Sequence, residues 1–382
     1  MVTVYAAPGT GHDSWHDLWN RLTSNVGLGF LNWPTNVEDS DLIWLHSTTA
    51  FLRDEQWRAE FNASFFHRNS GQHPSDLVAD VASIIGLTED DKETRELVAQ
   101  RAELFLRKTI VGRKISVQIE NGGVVTLPPS GASGISAQEI PAPFDTAPAA
   151  NSIVNISAIL PPTFKDGIVK SEMKMVEPEG WAIISDIDDT IKITDTLSMK
   201  QLLIHTFSED PRPTPGFPDF YQQLDQVLNQ PAWFYLSASP YNLYPFLLSF
   251  LRKHYPFGQP ILRDMSWMSV AGLIASVSNG TEEYKTMEMR KIIGQWLPNR
   301  KYVCIGDSTQ TDPESYATMY KAFPGTIKAI WIRIVTGVNR DEEKTKNSTD
   351  RFEQAFDGVP KEVWKTFNDV SELESLTEQL KL

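Results

Sequence analysis

The sequence predicts an α/β fold, in which a doubly wound parallel sheet is preceded by a small β-rich module and an N-terminal helical segment. Three observations predict the sheet. Short apolar runs have the length and composition of buried parallel strands, at 181–186, 232–237, 260–264, 301–306 and 327–333. Helical stretches separate these runs, which is typical of a doubly wound sheet with helices on both faces. Acidic or hydroxyl residues follow three of the runs, where parallel strands present their carboxyl ends to a ligand.

We expect residues 1–108 to form an aromatic-rich, mainly helical region. Five of the eleven tryptophans lie in the first 75 residues, and apolar side chains recur there at helical spacing, at Trp15, Leu18, Trp19 and Leu22. We interpret this stripe as a face packed on the rest of the protein. The alternative is an amphipathic segment at a lipid interface, where tryptophan is favoured.

Residues 109–178 are expected to form a small β-rich domain that covers or positions the next one. Strand-like runs at 115–119, 124–127, 153–160 and 167–176 are separated by turns and by a long loop rich in Pro, Ala, Ser and Gly. The sequence Glu-Pro-Glu-Gly at 177–180 is a natural boundary. The third predicted unit, 179–382, contains the parallel sheet.

The first run of this sheet ends in the sequence Asp-Ile-Asp-Asp-Thr, at 186–190. Asp186 and Asp188 are then placed at a strand end that faces a crevice. Crowded carboxylates are unfavourable unless a cation neutralises them, so the pair predicts a hard metal ion. Taken alone, the motif is also compatible with a calcium loop or a solvated turn. We expect Asp189 and Thr190 to shape the turn rather than to perform chemistry.

The second run is followed by two serines. Ser237 lies where the strand gives way to a loop, and we expect it to donate a hydrogen bond to a phosphate oxygen. Ser239, followed by Pro240, is expected to cap the next helix. The alternative is that both serines are caps.

Two later segments complete the pattern. Lys285 lies near the start of a helical stretch at 282–296, where its ammonium group can hold a phosphate and a carboxylate together. A lone lysine on a helix is usually solvated, so this assignment depends on the other motifs. The fourth run ends in Gly306, which lets the backbone turn sharply, and in Asp307 and Asp312, which add two carboxylates at the same end of the sheet.

These motifs together resemble the haloacid dehalogenase superfamily of phosphotransferases. More closely, residues of about 180–340 resemble the catalytic domain of the actin-patch-protein type of phosphatidate phosphatase, a relative of the lipins. The matching segments are 186–192, 237–245 and 306–314, and the likeness continues through Pro324-Gly325 and the run at 329–333.

The resemblance implies a haloacid dehalogenase-like Rossmannoid fold and a role for each residue. Asp186 would be the nucleophile that forms an aspartyl-phosphate. Asp188 would protonate the leaving oxygen and then deprotonate the attacking water. Ser237 and Lys285 would bind the transferring phosphoryl group. These roles agree with phosphoryl-transfer chemistry, which depends on positioning and on neutralising charge on the phosphoryl oxygens.

The resemblance also implies a Mg²⁺ cofactor. Its ligands would be the Asp186 and Asp307 carboxylates and the backbone carbonyl of Asp188, with Asp312 supporting the site. A bound cation of this kind neutralises developing negative charge.

The leading functional prediction is a magnesium-dependent phosphatidate phosphatase, which produces diacylglycerol and phosphate at a membrane surface. The resemblance further implies cytoskeletal or endocytic protein partners. The alternative is an open-site phosphatase of the same chemistry that acts on a phosphoprotein or a soluble phosphomonoester. A non-enzymatic scaffold is a third class, but a scaffold needs none of the six polar residues of the motifs.

Composition limits the remaining possibilities. The chain has 49 acidic and 35 basic residues, a net charge of −14, which disfavours nucleic acid as a partner and counts mildly against an anionic lipid. Its one cysteine, Cys304, permits no intrachain disulfide and fits a reducing compartment. The sequence has neither a run of ~20 apolar residues nor the pattern of a secretory signal. We therefore expect a cytoplasmic protein that associates with membranes at most peripherally.

Overall fold

The computed structural model describes residues 35–68, 75–164, 167–264 and 281–380. The described residues form a mixed α/β fold in which a β-rich module precedes a parallel sheet, and this confirms the predicted fold class. The tryptophan stripe predicted at 15–22 lies outside the described residues.

The β-rich module contributes eleven of the described strands: β1 (Thr35–Asn36), β2 (Asp41–Leu45), β3 (Thr48–Arg53), β4 (Gln56–His67), β5 (Arg113–Lys114), β6 (Ser116–Ile119), β7 (Val124–Thr126), β8 (Ile135–Pro141), β9 (Ile153–Ile159), β10 (Gly167–Ile168) and β11 (Lys170–Val176). Nine of them form one sheet in the order β10-β2-β4-β3-β11-β9-β6-β7, with β8 also paired to β4, while β1 pairs with β5. Helices α1 (Ser75–Ile85) and α2 (Lys92–Leu106) lie between β4 and β5 in the chain.

The structure differs from the predicted boundary at residue 108. The helical prediction is right for α1 and α2 but wrong for 35–67, which forms β1–β4 and belongs to the β-rich sheet. In β2, Ile43 and Leu45 enter the core of the module, while Leu42 and Trp44 pack on the other face against a second core. Because both faces of the strand are buried, its short apolar run does not alternate with polar residues, and periodicity cannot distinguish such a run from a buried helical segment.

Six parallel strands form the second sheet: β12 (Trp181–Asp186), β13 (Ala232–Pro240), β14 (Gln259–Arg263), β15 (Lys301–Asp307), β16 (Ile327–Arg333) and β17 (Trp364–Phe367). Their order is β14-β13-β12-β15-β16-β17. The chain runs outward from β12 to β14 on one side and then returns to β15 on the other. The strand order therefore reverses beside β12, and ligands of doubly wound sheets bind at such a point. The sequence did not predict β17.

Eight further helices accompany this sheet in the described residues: α3 (Met199–Leu203), α4 (Phe217–Val227), α5 (Tyr244–His254), α6 (Thr281–Lys291), α7 (Asp312–Ala322), α8 (Arg340–Lys346), α9 (Thr349–Ala355) and α10 (Glu374–Gln379). Alternate residues of β12 pack on opposite faces of the sheet: Ile183 packs in one core with α4 and α5, and Ile184 in another with α6 and α7. Both faces of the sheet are therefore covered. Of the described helices, none is long and apolar enough to cross a membrane.

The β-rich module contacts the sheet domain directly. Lys291 of α6 forms an ion pair with Glu60 of β4, with Nζ 2.8 Å from Oε2. The backbone N–H of Ser47 donates to the hydroxyl of Tyr244, at 2.7 Å, where α5 begins. These contacts attach the module beside the segment that carries Ser237.

Candidate active site

The three sequence motifs meet at the carboxyl end of the parallel sheet. β12 is hydrogen-bonded to β13 on one side and to β15 on the other. Asp186 ends β12, Asp307 ends β15, and Ser237 lies in the last part of β13. Because neighbouring parallel strands end at the same edge, side chains distant in the sequence become neighbours there.

Asp186, Asp307 and Asp312 form a buried carboxylate cluster. Each offers an oxygen atom within 4.8 Å of those of the other two, and the three residues are at most 1% exposed. The Asp307 backbone N–H donates to Asp312 Oδ2 at 3.1 Å. Three buried carboxylates at this separation are a suitable oxygen donor set for a hard divalent cation.

Gly306 is required for this cluster to form. A Cβ atom at this position would lie 2.6 Å from Cβ and Cγ of Asp312, closer than side chains can approach. We predicted that Gly306 lets the backbone turn sharply. In the structure, it allows the close approach of Asp312 at the start of α7.

Lys285 of α6 extends into the cluster and is completely buried. Its Nζ lies 2.7 Å from Asp186 Oδ1 and also forms an ion pair with Asp312. Lys285 therefore contacts the first acid of the motif, and its predicted phosphate-binding role stays a prediction. One ammonium group against three carboxylates leaves the cluster with an excess of negative charge.

This excess is reflected in the pKa values. Burial raises the pKa of Asp186; Lys285 opposes this, but repulsion from Asp312, Asp307 and Asp188 adds to it, and the pKa lies well above its usual range. Burial and the charge of Asp312 raise the pKa of Asp307 to about 6. Burial disfavours the charged form of Lys285, but attraction to Asp186, Asp312 and Asp307 outweighs it, so its pKa is raised. Lys285 alone does not neutralise the cluster.

The carboxylate of Asp188 is held apart from this cluster. Its Oδ2 accepts hydrogen bonds from the hydroxyls of Ser237 and Ser239, at 2.8 and 2.9 Å. Its Oδ1 accepts from Lys192 Nζ and from the Thr194 hydroxyl, at 3.1 and 2.9 Å. Burial raises the pKa of Asp188, but the charge of Lys192 and the hydrogen bonds outweigh it, and the pKa lies below its usual range. A contribution of its backbone carbonyl to a metal site stays a prediction.

The expectation for Ser239 is wrong. β13 continues to Pro240, and a 3₁₀ turn at Tyr241–Leu243 precedes α5, so Ser239 is too far from the helix to cap it. Its hydroxyl instead donates to Asp188, and its backbone N–H donates to Ser237 Oγ at 2.9 Å. The two serines therefore face the second acid of the motif.

The sequence motifs indicate no role for Lys192 and Thr194, which both contact Asp188. The available signal was Lys192 itself, a charged residue between Ile191 and Ile193 in a segment that leaves the end of a buried strand. A lysine in such surroundings is expected to have a charged partner.

Asp189 shapes the turn, as expected. It has a positive φ of 59°, and its carboxylate accepts the backbone N–H groups of Thr194, Asp195 and Thr196. Burial and the charge of Asp307 raise its pKa to about 6, and the hydrogen bonds limit the shift. Thr190 was expected only to shape the turn, but its hydroxyl also donates a hydrogen bond to Asp186 Oδ2, at 3.0 Å.

The loop between Asp307 and Asp312 is held by an arginine that the sequence did not single out. Arg351 of α9 donates to the backbone carbonyls of Ser308 and Gln310, both at 2.5 Å. Its Nε also contacts Glu314 Oε1 at 2.8 Å. This clamp fixes the loop that carries two of the three clustered carboxylates.

The site can be compared with known proteins. Residues 181–334 match the family model described as phosphatidate phosphatase APP1, catalytic domain. Phosphatidate phosphatase APP1 of Saccharomyces cerevisiae is 32% identical over 161 residues, which cover 41% of this chain and 26% of the yeast protein. An uncharacterized protein of Schizosaccharomyces pombe is 29% identical over 202 residues, which cover 50% of this chain and 32% of that protein.

The matched region contains all six residues of the predicted site, and its bounds coincide with β12 at one end and the end of β16 at the other. The chain covers less than a third of each relative's own length. These matches confirm the resemblance predicted from the sequence motifs: residues 181–334 match the catalytic domain of phosphatidate phosphatase APP1.

Proposed function

We propose that this protein is a magnesium-dependent phosphatidate phosphatase that acts through an aspartyl-phosphate on Asp186. The observation that carries the proposal is the arrangement around Asp186. Lys285 lies 2.7 Å from its Oδ1, Asp307 and Asp312 lie beside it, and Asp188 follows it at the same strand end. The sequence match to phosphatidate phosphatase APP1 supports the choice of substrate.

The residues have complementary parts in the proposed reaction. A carboxylate oxygen of Asp186 attacks phosphorus while the bond from phosphorus to the lipid oxygen breaks. Lys285 and Ser237 hold the phosphoryl oxygens, and Asp188 gives its proton to the leaving oxygen. Asp188 then takes a proton from the water that hydrolyses the aspartyl-phosphate. A carboxylate nucleophile thereby divides hydrolysis into two easier displacements.

The donor set fits magnesium. Three buried carboxylates, those of Asp186, Asp307 and Asp312, lie within reach of one ion. Together they carry more negative charge than the ammonium group of Lys285 can neutralise. When bound there, magnesium would supply the positive charge that stabilises the phosphoryl oxygens. Support from Asp312 is compatible with its ion pair to Lys285, since each carboxylate oxygen has two lone pairs.

We further propose that the enzyme acts on phosphatidate at a membrane surface from the cytoplasm. The buried Cys304 in β15 fits a reducing compartment. Membership in the haloacid dehalogenase superfamily and association with cytoskeletal or endocytic proteins remain predictions from the sequence motifs.

The decisive experiment measures phosphate release from phosphatidate in mixed detergent micelles and from a soluble phosphomonoester, each with and without magnesium. We expect hydrolysis of phosphatidate that rises with its surface concentration in the micelle and that stops without magnesium. An enzyme that prefers the soluble ester and ignores the micelles would replace the lipid assignment by the phosphoprotein or soluble-ester alternative. No release from either substrate would leave the phosphoprotein alternative and the scaffold class.

A further inference from the structure

Lys192 is the second buried lysine of the site, and it serves a different carboxylate from Lys285. It is 2% exposed, and its Nζ lies 3.1 Å from Asp188 Oδ1 and 2.5 Å from Thr194 Oγ1. The Thr194 hydroxyl in turn donates to the same Asp188 oxygen at 2.9 Å. The three side chains form a closed triangle of hydrogen bonds.

The backbone around Lys192 is fixed on several sides. Its N–H donates to the carbonyl of Ile187 at 3.0 Å, and its own carbonyl accepts from Asp189 at 2.8 Å. The carbonyl of the preceding Ile191 accepts from the Tyr255 hydroxyl at 2.6 Å. A side chain on such a rigid turn can form its ion pair without a further loss of backbone conformational freedom.

The two oxygens of Asp188 therefore have different surroundings. Oδ1 is held by the triangle with Lys192 and Thr194. Oδ2 faces the hydroxyls of Ser237 and Ser239 at the end of β13. In the proposed function Ser237 binds the phosphoryl group. Oδ2 is therefore the oxygen of Asp188 that faces the bound substrate.

We propose that Lys192 and Thr194 are positioning residues, which anchor Asp188 through Oδ1 so that Oδ2 faces the leaving oxygen. This inference rests on the proposed function. When substrate binds, Ser237 turns from Oδ2 to the phosphoryl group, and Oδ2 takes up a proton. This proton passes to the leaving oxygen as the bond from that oxygen to phosphorus breaks and the bond from phosphorus to Asp186 forms. In the second step Oδ2 takes a proton from water as the water oxygen bonds to phosphorus and the bond from phosphorus to Asp186 breaks, so that phosphate leaves and both acids are restored.

The test compares two leaving groups. The diacylglycerol alkoxide that leaves phosphatidate is strongly basic and needs a proton. The nitrophenolate that leaves p-nitrophenyl phosphate does not. We expect Thr194→Val to lower kcat/KM on phosphatidate by about 100-fold, the lower range for a lost proton transfer, and on the nitrophenyl ester by less than about fivefold. Thr194→Ser, which keeps the hydroxyl, should retain most of the activity. Lys192→Met should behave like Thr194→Val, with Lys344→Met on the exposed face of α8 as the matched control.

Equal losses on both esters would overturn the inference, since they would mean that the two residues hold the phosphoryl group or the fold. No loss on either ester would overturn it as well. Should Lys192→Met fail to fold, the two Thr194 variants carry the test. Should the wild type reject the nitrophenyl ester, Thr194→Val is measured on phosphatidate in an Asp188→Asn background, where we expect less than about a twofold further loss.

Failure of the proposed function has a different result. If Asp186→Asn keeps the activity of the wild type, covalent catalysis through Asp186 is wrong and the positioning role falls with it. If Asp186→Asn is inactive while Thr194→Val loses both activities equally, only the positioning role is wrong.

Discussion

Lys285 Nζ lies 2.7 Å from Asp186 Oδ1, although 99 residues separate the two in the sequence. Lys285 comes from a helix on one face of the sheet, and Asp186 ends the strand beside which the strand order reverses. The same ammonium group also pairs with Asp312, so a single cation joins segments from three parts of the chain.

Replacing Asp186 by Asn should lower turnover by about three orders of magnitude or more, since it removes the nucleophile on which the other groups act. The measurement is phosphate release from phosphatidate micelles, with melting curves to show that the variant is folded. Asp341→Asn, on exposed α8, is the control and should keep full activity. Near-normal release by the Asp186 variant would contradict covalent catalysis.

Replacing Lys285 by Met should abolish activity and also destabilise the fold. The variant leaves three buried carboxylates without their cation, and breaking a buried ion pair in this way costs about 3–5 kcal/mol. Urea unfolding without magnesium measures the change. Adding Asp312→Asn to the same chain should restore part of the stability, because one uncompensated charge is removed. Strictly additive losses would mean that the two side chains do not act as a pair.

Magnesium should raise the melting temperature by mass action, since an ion that binds the folded cluster and not the unfolded chain stabilises the folded state. At about 100 times the dissociation constant, the stabilisation is ~2.7 kcal/mol. The comparison uses sodium chloride of equal ionic strength. Asp307→Asn should lose most of this response. A wild-type melting curve indifferent to millimolar magnesium would count against the metal site.

His205 should stabilise the fold more at low pH than at high pH. The hydrogen bond to Asp195 raises its pKa; burial opposes this, and Glu209 adds to the rise. A raised folded-state pKa means that the contribution is complete below the ordinary value and is lost as pH rises through the folded value. Urea unfolding of His205→Gln should therefore show a larger loss at about pH 5.5 than at about pH 9.

The control for this pH dependence is His254→Gln, because burial lowers the pKa of His254 and the sign of its contribution is opposite. An equal loss at both pH values in the His205 variant would mean that the imidazole is not charged in the folded protein.

Deleting residues 1–34 should weaken binding to phosphatidate liposomes more than hydrolysis of a soluble ester, if the tryptophan stripe meets a lipid surface. The deletion ends before β1, so all the described strands remain. Liposome co-sedimentation and phosphate release are measured on the same preparation. Aggregation of the shortened protein would favour the packed-face interpretation of Trp15 and Trp19. Unchanged liposome binding would exclude the lipid interpretation.

Much of the site was predictable because its acids follow recognisable strands. Asp186 and Asp307 end apolar runs, and the parallel sheet brings strand ends together whatever their separation in the chain. Ser239 was misassigned because its partner, Asp188, belongs to another strand, and a local pattern of Ser-Pro indicates only a cap. β2 was missed because burial on both faces removed the alternation that identifies a strand. Local sequence thus predicts the position of a group better than its partner.

The contacts of Arg351 show that the catalytic domain continues beyond the end of the family match. The family match ends at residue 334, but Arg351 holds the Ser308 and Gln310 carbonyls from beyond that point, and β17 completes the hydrogen bonding of β16. A chain shortened to the matched region would lose both supports and expose β16 as an unprotected edge. The family match therefore ends before the parallel sheet does, and residues after 334 help to hold the loop between Asp307 and Asp312 in place.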